Sequence, residues 1–154
     1  MAKVSFTKLG LNKNQEIKIL KWNDQEIEIK QYLPVADLID LATLIVNKAH
    51  DEDSNFSNPI RVEVYTTLEI LFKYTNINFT DKQKEDVLKL YDLVVSSGLY
   101  NEIIKLIPEE EYNKLIITVE KTINAVYAYQ NSVLGILDTI SEDYSSLDFD
   151  ATSI

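Results

Sequence analysis

The chain has 154 residues and carries 15 Lys+Arg against 25 Asp+Glu, a formal net charge of −10, with 45% hydrophobic residues. That length suits one domain, and the apolar share belongs to a globular chain rather than a disordered one. The absence of cysteine, a single histidine (His50) and three glycines (Gly10, Gly98 and Gly135) exclude disulfide scaffolds, thiol catalysis, Cys-based zinc sites, His–His metal sites and a Gly-rich phosphate loop.

Residues 1–15 are polar and rich in Lys and Asn, with Leu9-Gly10-Leu11 as an apolar knot, and read as a flexible or loosely docked N-terminal arm. The period then becomes two. Ile17 and Ile19 alternate with Glu16 and Lys18, Ile27 and Ile29 alternate with Glu26, Glu28 and Lys30, and Trp22-Asn23-Asp24-Gln25 supplies turn residues. This pattern predicts a β-hairpin over 16–32 with one apolar and one charged face. A lone hairpin is marginal in water, so its four isoleucines are expected to pack on helices or on another subunit, with outer edges open to strand addition.

Pro34 closes the hairpin and opens a helix whose apolar residues are Val35, Leu38, Ile39, Ala42, Ile45, Val46 and Ala49. The segment from His50 to Pro59 has loop composition. Over 60–75 the signal is mixed: Ile60, Val62 and Val64 alternate like a strand, whereas Val64, Leu68, Leu71 and Phe72 fit a helix, which is preferred for the latter part. Thr80 and Gln83 form a capping box opening a helix with the stripe Val87, Leu90, Tyr91, Val94 and Val95, closed by Gly98. A short helix with Tyr100, Ile103, Ile104 and Ile107 follows, completing a helical body over 34–107.

Pro108 with Glu109, Glu110 and Glu111 is a helix start, because the prolyl φ is preset and the acids face the positive end of the helix. Beyond it Tyr112, Ile116, Val119, Ile123, Val126, Gln130, Val133, Leu137 and Ile140 recur at alternating spacings of four and three, a heptad seam over 108–140. One helix of that length spans ~50 Å, whereas a domain of this size is ~40 Å across. The helix is therefore expected to overhang its domain or kink near Gly135, and an overhanging apolar seam needs a partner. Gln130 within the seam is either a solvent-facing gap or a register-fixing polar residue. Residues 141–154 read as an acidic flexible tail. The expected fold class is mainly α with a small β element (α+β), a hairpin packed on a bundle of about five helices that includes one long C-terminal helix.

The candidate chemistry is thin. His50 beside Asp51, Glu52 and Asp53 reads as a solvated loop, since the Gly and distal Glu of a calcium loop are missing. Ser96-Ser97-Gly98 lacks both a base and a nucleophile elbow. No catalytic residue, metal or cofactor is expected. The predicted partner-binding residues are Ile17, Ile19, Ile27 and Ile29 on the hairpin and Tyr112, Ile116, Val119, Ile123, Val126, Gln130, Val133 and Leu137 on the seam. Charge agrees with a protein partner. Residues 1–32 sum to +2, from six lysines and four acids, leaving −12 for the rest, and no basic residue follows Lys121. Such a body repels nucleic acid. No segment is long and apolar enough to span a membrane, and the N-terminus lacks a signal-peptide core, so a cytoplasmic protein is expected, and the apolar hairpin and seam make a homo-oligomer the expected state. Lysine outnumbers arginine fourteen to one, a bias of low-GC genomes.

The opening MAKVSFTKLGLNKN, the hairpin EIKILKWNDQEIEIKQYLP, and the segments TNINFTDKQKEDVLKLYDLVVSSGL, IPEEEYNKL and YQNSVLGILDTISEDYSSLDFDAT together resemble a family of small tail-assembly-region proteins. These come from tailed phages and prophages of low-GC Gram-positive bacteria and are of the tail assembly chaperone type. The resemblance covers essentially the whole chain. It implies a small β element on a helical body, binding of the helical tape-measure protein, delivery of that client to tail-tube subunits, and absence from the finished virion. It also implies a longer, frameshifted form that continues beyond the position of Ile154. No catalytic residues come with the family. Two other classes are compatible with the residues: a virion structural part, such as a head–tail connector or neck ring, and a small acidic inhibitor of a host or defence protein.

Overall fold

A computed structural model describes residues 1–51 and 56–146. The hairpin is built from β1 (Ile17–Trp22) and β2 (Gln25–Lys30), joined by Asn23 and Asp24. Both turn residues have positive φ, +44° and +62°, so the link is a type I′ turn, whose twist matches that of the paired strands. The register places Ile17 opposite Lys30, Ile19 opposite Glu28 and Leu20 opposite Ile27. Directly opposed residues share a face, and a loop of even length sets odd-numbered positions of one strand against even-numbered positions of the other. Ile17 and Ile19 therefore lie on the opposite face from Ile27 and Ile29, and the expected single apolar face is corrected. Ile29 is fully buried, whereas Ile17 and Ile19 are each 47% exposed. The inner face is completed by Leu20 and Trp22, which pack on the core.

The two edges of this sheet also differ. Thr75 forms an isolated antiparallel bridge to Ile29, Asn76 N–H donates to the Glu28 carbonyl (3.3 Å), and Glu28 N–H donates to Asn76 Oδ1 (2.9 Å). The β2 edge is thus covered. On the other strand, Gln31 N–H donates to the Glu16 carbonyl (3.1 Å). That bond continues the ladder through Glu16, Lys18, Leu20 and Trp22, and turns the backbone groups of Ile17, Ile19 and Lys21 toward the open side of β1.

Pro34 precedes α1 (Val35–Ala49), whose buried residues Leu38, Leu41, Ala42, Ile45, Val46 and Ala49 recur at helical spacing. The loop-like segment after it opens with β3 (His50–Asp51), paired antiparallel with β4 (Phe56–Ser57). In α2 (Pro59–Tyr74) proline sits in the first turn and the Asn58 side chain accepts from Ile60 N–H (2.9 Å), so the ambiguous region is helical from its start to Tyr74, and Thr75 leaves the helix in an extended conformation. It is the central element, touching α1 and β2, with Val64, Leu68, Ile70, Leu71 and Tyr74 in the core.

Thr80 and Gln83 form the reciprocal capping box, with bonds of 3.2 and 2.9 Å. The helix they open, α3 (Asp81–Glu85), stops at Asp86, and α4 (Val87–Ser96) begins a new one against α2. Gly98 has φ +82° and its N–H donates to the Val95 carbonyl, the left-handed closure that a side chain resists. Next, α5 (Leu99–Leu106) packs on α4 and on β1.

The long helix is α6 (Glu109–Gln130), lying against α1. The chain does not continue helically to 140. It turns at Asn131 and Ser132 and resumes as α7 (Val133–Ser146), which carries helix six residues into the segment expected to be tail. Residues 147–154 of that expected tail, and Glu52 and Asp53, lie outside the described residues. The break is chemical. Asn131 Nδ2 donates to the Tyr127 carbonyl (2.9 Å), and Ser132 Oγ donates to the Tyr129 carbonyl (2.6 Å) while accepting from Gly135 N–H (3.1 Å). Ser132 thus closes one helix and caps the next. Gly135 permits the turn, because a Cβ there would meet the Tyr129 carbonyl oxygen at 2.1 Å. Among the described residues there are seven helices and two small two-stranded sheets, mainly α with a small β element.

Candidate protein-binding surface

The triplet at the start of α6 divides its labour. Glu109 and Glu110 are exposed at the positive helix end, whereas Glu111 is buried. Its Oε1 accepts from Leu33 N–H (2.9 Å) and from the Tyr74 hydroxyl (2.8 Å), so one carboxylate ties the hairpin exit, α2 and α6 together. Lys114, one turn on, approaches Oε2 at 3.9 Å and lies over the Tyr32 ring (4.7 Å to its centroid). Burial, then the hydrogen bond and negative charge of Glu111, push the Tyr74 hydroxyl well above the usual phenol range. A second buried carboxylate, Glu69 of α2, meets Lys48 of α1 at 2.6 Å. Sequence pattern missed both roles; the only trace of Glu111's is its position one turn into a proline-led helix.

Among the described residues, no three His, Cys, Asp or Glu side chains converge as metal ligands. Ser96 Oγ donates to the Asp92 carbonyl (2.5 Å) and Ser97 Oγ to the Val94 carbonyl (3.3 Å), so both hydroxyls are engaged by their own helix. Two of the grooves among the described residues lie near the hairpin exit and along α3 and α4. One, of about 730 Å³, runs between residues 12–17 and the hairpin exit at Tyr32–Val35; the other, of about 750 Å³, lies along α3 and α4 beside Lys82, Lys89 and Leu93.

The predicted contact residues separate into three groups. Ile27, Ile29 and Val119 are buried in the core of the chain itself, the first two because of hairpin parity and the third because α6 packs on α1. Tyr112, Ile116, Ile123, Val126 and Gln130 are half-buried along α6. Ile17, Ile19, Val133 and Leu137 are exposed. The seam is therefore half used: its first part is covered by the body, and its second part, carried on α7, is bare.

That bare part is a run of exposed apolar side chains on one helix. Val133 (74% exposed), Leu134, Ile136, Leu137 and Ile140 occupy five of the first eight positions of α7, with Tyr127 and Tyr129 beside them at the end of α6. The Tyr129 hydroxyl donates to Asp138, holding the two helices together across the turn. Asp138, Glu142 and Asp143 make the rest of α7 acidic, with no basic residue in it. Contiguous exposed apolar residues rimmed by polar ones mark interaction sites. No described helix is long and apolar enough to cross a membrane. No protein-family model, characterised protein or solved structure matches the chain.

Proposed function

We propose that this is a non-enzymatic binding protein of the phage tail assembly chaperone type, acting in the host cytoplasm. Its α7 face takes the apolar side of a helical client, the tape-measure protein, and its hairpin edge meets tail-tube subunits. The observation that carries the reading is α7 itself: its apolar side chains contribute nothing to the core, yet they are held in a defined helix with an acidic rim. An amphipathic helix laid along such a face is a helix-in-groove contact read by residues three and four apart. The resemblance in sequence supplies the client's identity.

Co-expression with tape-measure and tube fragments, followed by pull-down, tests it. Leu137→Asp, on the exposed face, is expected to abolish capture of the tape-measure fragment while changing stability by less than about 0.5 kcal/mol. Undiminished capture by that variant refutes the assigned face, and a stoichiometric presence in purified virions refutes the chaperone role. The second outcome favours a virion ring, a reading that the open β1 edge supports, since hairpins of neighbouring subunits extend one another's sheets along such edges.

A further inference from the structure

The N-terminal arm is a second surface that the body leaves unpartnered. Val4, Phe6, Leu9 and Leu11 are all more than half exposed, with Phe6 at 75%, and no residue of 1–15 is buried. The arm is nevertheless shaped. Phe6–Leu9 forms one 3-10 turn, Lys8 N–H donates to the Ser5 carbonyl (3.1 Å), and Gly10 ends the turn with φ +63°. The turn presents Phe6 and Leu9 and gains no apolar burial from either inside its own chain. Its charge is one-sided: Lys3, Lys8 and Lys13, with no acid before Glu16.

The α7 face is its complement. It is apolar over Val133–Ile140 and carries Asp138, Glu142 and Asp143, with no basic residue after Lys121. We propose that the N-terminal arm of one copy docks on the α7 face of a second copy, its apolar side chains covering Val133, Leu137 and Ile140 and its lysines meeting the acids. Opposite charges select this pairing over two α7 faces packed on one another, which would set acid against acid. Within one chain the arm and the α7 face are both exposed, so neither covers the other there, and the proposed contact is the one made between copies. The proposal stands apart from client binding: it says what covers the face in the absence of a client.

The full chain tests this by light scattering across a concentration series. Mass above the 17.7 kDa of one chain is expected, falling to that of one chain when residues 1–11 are removed. A second, fold-neutral variant reverses the arm's charge. Lys3→Glu with Lys8→Glu is expected to weaken association about tenfold, and adding Glu142→Lys with Asp143→Lys is expected to restore it. Because the chain has no cysteine, Phe6→Cys combined with Val133→Cys reports the contact directly. A disulfide-linked dimer on a non-reducing gel supports the exchange between copies, and an internal disulfide overturns it. A full chain that is monomeric at every concentration, or an oligomer indifferent to the loss of residues 1–11, also overturns it.

Discussion

Replacing Glu111 with alanine tests how the fold is joined. Glu111 Oε1 accepts from Leu33 N–H and the Tyr74 hydroxyl at 2.9 and 2.8 Å, and both donors belong to residues at most 4% exposed. Bonds to a charged acceptor contribute about 1.5–3 kcal/mol each, and buried donors left unsatisfied lose most of that value. Lys114, its side chain 44% exposed, adds little at 3.9 Å. Glu111→Ala should therefore cost about 3–5 kcal/mol, a large share of the 5–15 kcal/mol typical of a domain. Glu111→Gln keeps an oxygen able to accept both bonds and should cost about 1 kcal/mol, while Tyr74→Phe should cost about 1–2 kcal/mol. Urea unfolding of the three variants at constant m value provides the comparison, and the alanine–phenylalanine double mutant should show coupling of about 1 kcal/mol or more. An alanine variant no less stable than the glutamine variant would refute the account, because the bonds from Leu33 and Tyr74 would then contribute nothing.

Three further outcomes follow from local geometry. Tyr74 and Tyr100 are both raised well above the usual phenol range, chiefly by burial, so their contribution to stability is intact below pH ~10 and is lost above it as the unfolded chain ionises. Stability should fall by about 1.4 kcal/mol per pH unit for each of the two, with Tyr74→Phe removing half of the slope in alkaline urea titrations; an equal slope in the variant contradicts this. Asp24→Gly should stabilise the hairpin by about 0.5 kcal/mol and Asp24→Val should destabilise it by about 1–2 kcal/mol, because φ there is +62°; thermal melts that do not separate the two argue against the type I′ turn. Gly135→Ala forces a methyl group onto the Tyr129 carbonyl. It should accelerate amide exchange over 131–136 while moving the unfolding midpoint by less than about 0.5 kcal/mol of stability, whereas unchanged exchange shows the clash absorbed without opening the turn.

Much of the helical body was legible because its signals are local. Pro34, the Thr80–Gln83 box, Gly98 and Pro108 each specify a helix end through a preset or left-handed backbone angle or through bonds reaching no more than a few residues. The hairpin failed at parity. Alternation gives the strands, but the face shared by two strands depends on whether the loop holds an even or odd number of residues, and a two-residue loop separates Ile17 and Ile19 from Ile27 and Ile29. Leu20 and Trp22, packed where those isoleucines were expected, were overlooked because Trp22 stood among turn residues. Likewise, Glu111 and Glu69 owe their roles to Leu33, Tyr74 and Lys48, positions 21 to 78 residues away. No periodicity in their own helices encodes those distances.

The heptad seam shows most clearly where pattern and function part. Spacing places residues on one face only while the helix is continuous, and Asn131 with Ser132 interrupts it between Gln130 and Val133. Before the break, apolar spacing encodes core: Val119 is buried and Ile123 and Val126 are packed against the body. After it, the same spacing encodes surface. What remains is a helix of 14 residues with Gly135 in its first turn, Glu142 and Asp143 toward its negative end, and no basic residue in its last turn. A helix that short is marginal in water without packing, and both the glycine and the acids weaken it further. Covering its apolar face should therefore stabilise α7 itself. Amide hydrogen exchange over 133–146 is expected to be fast in a chain lacking residues 1–11. It should slow at least tenfold in the assembled full chain, about 1.4 kcal/mol of added local stability. Slow exchange in the truncated monomer would show that α7 needs no cover, and would remove the physical reason for assigning its face to a partner.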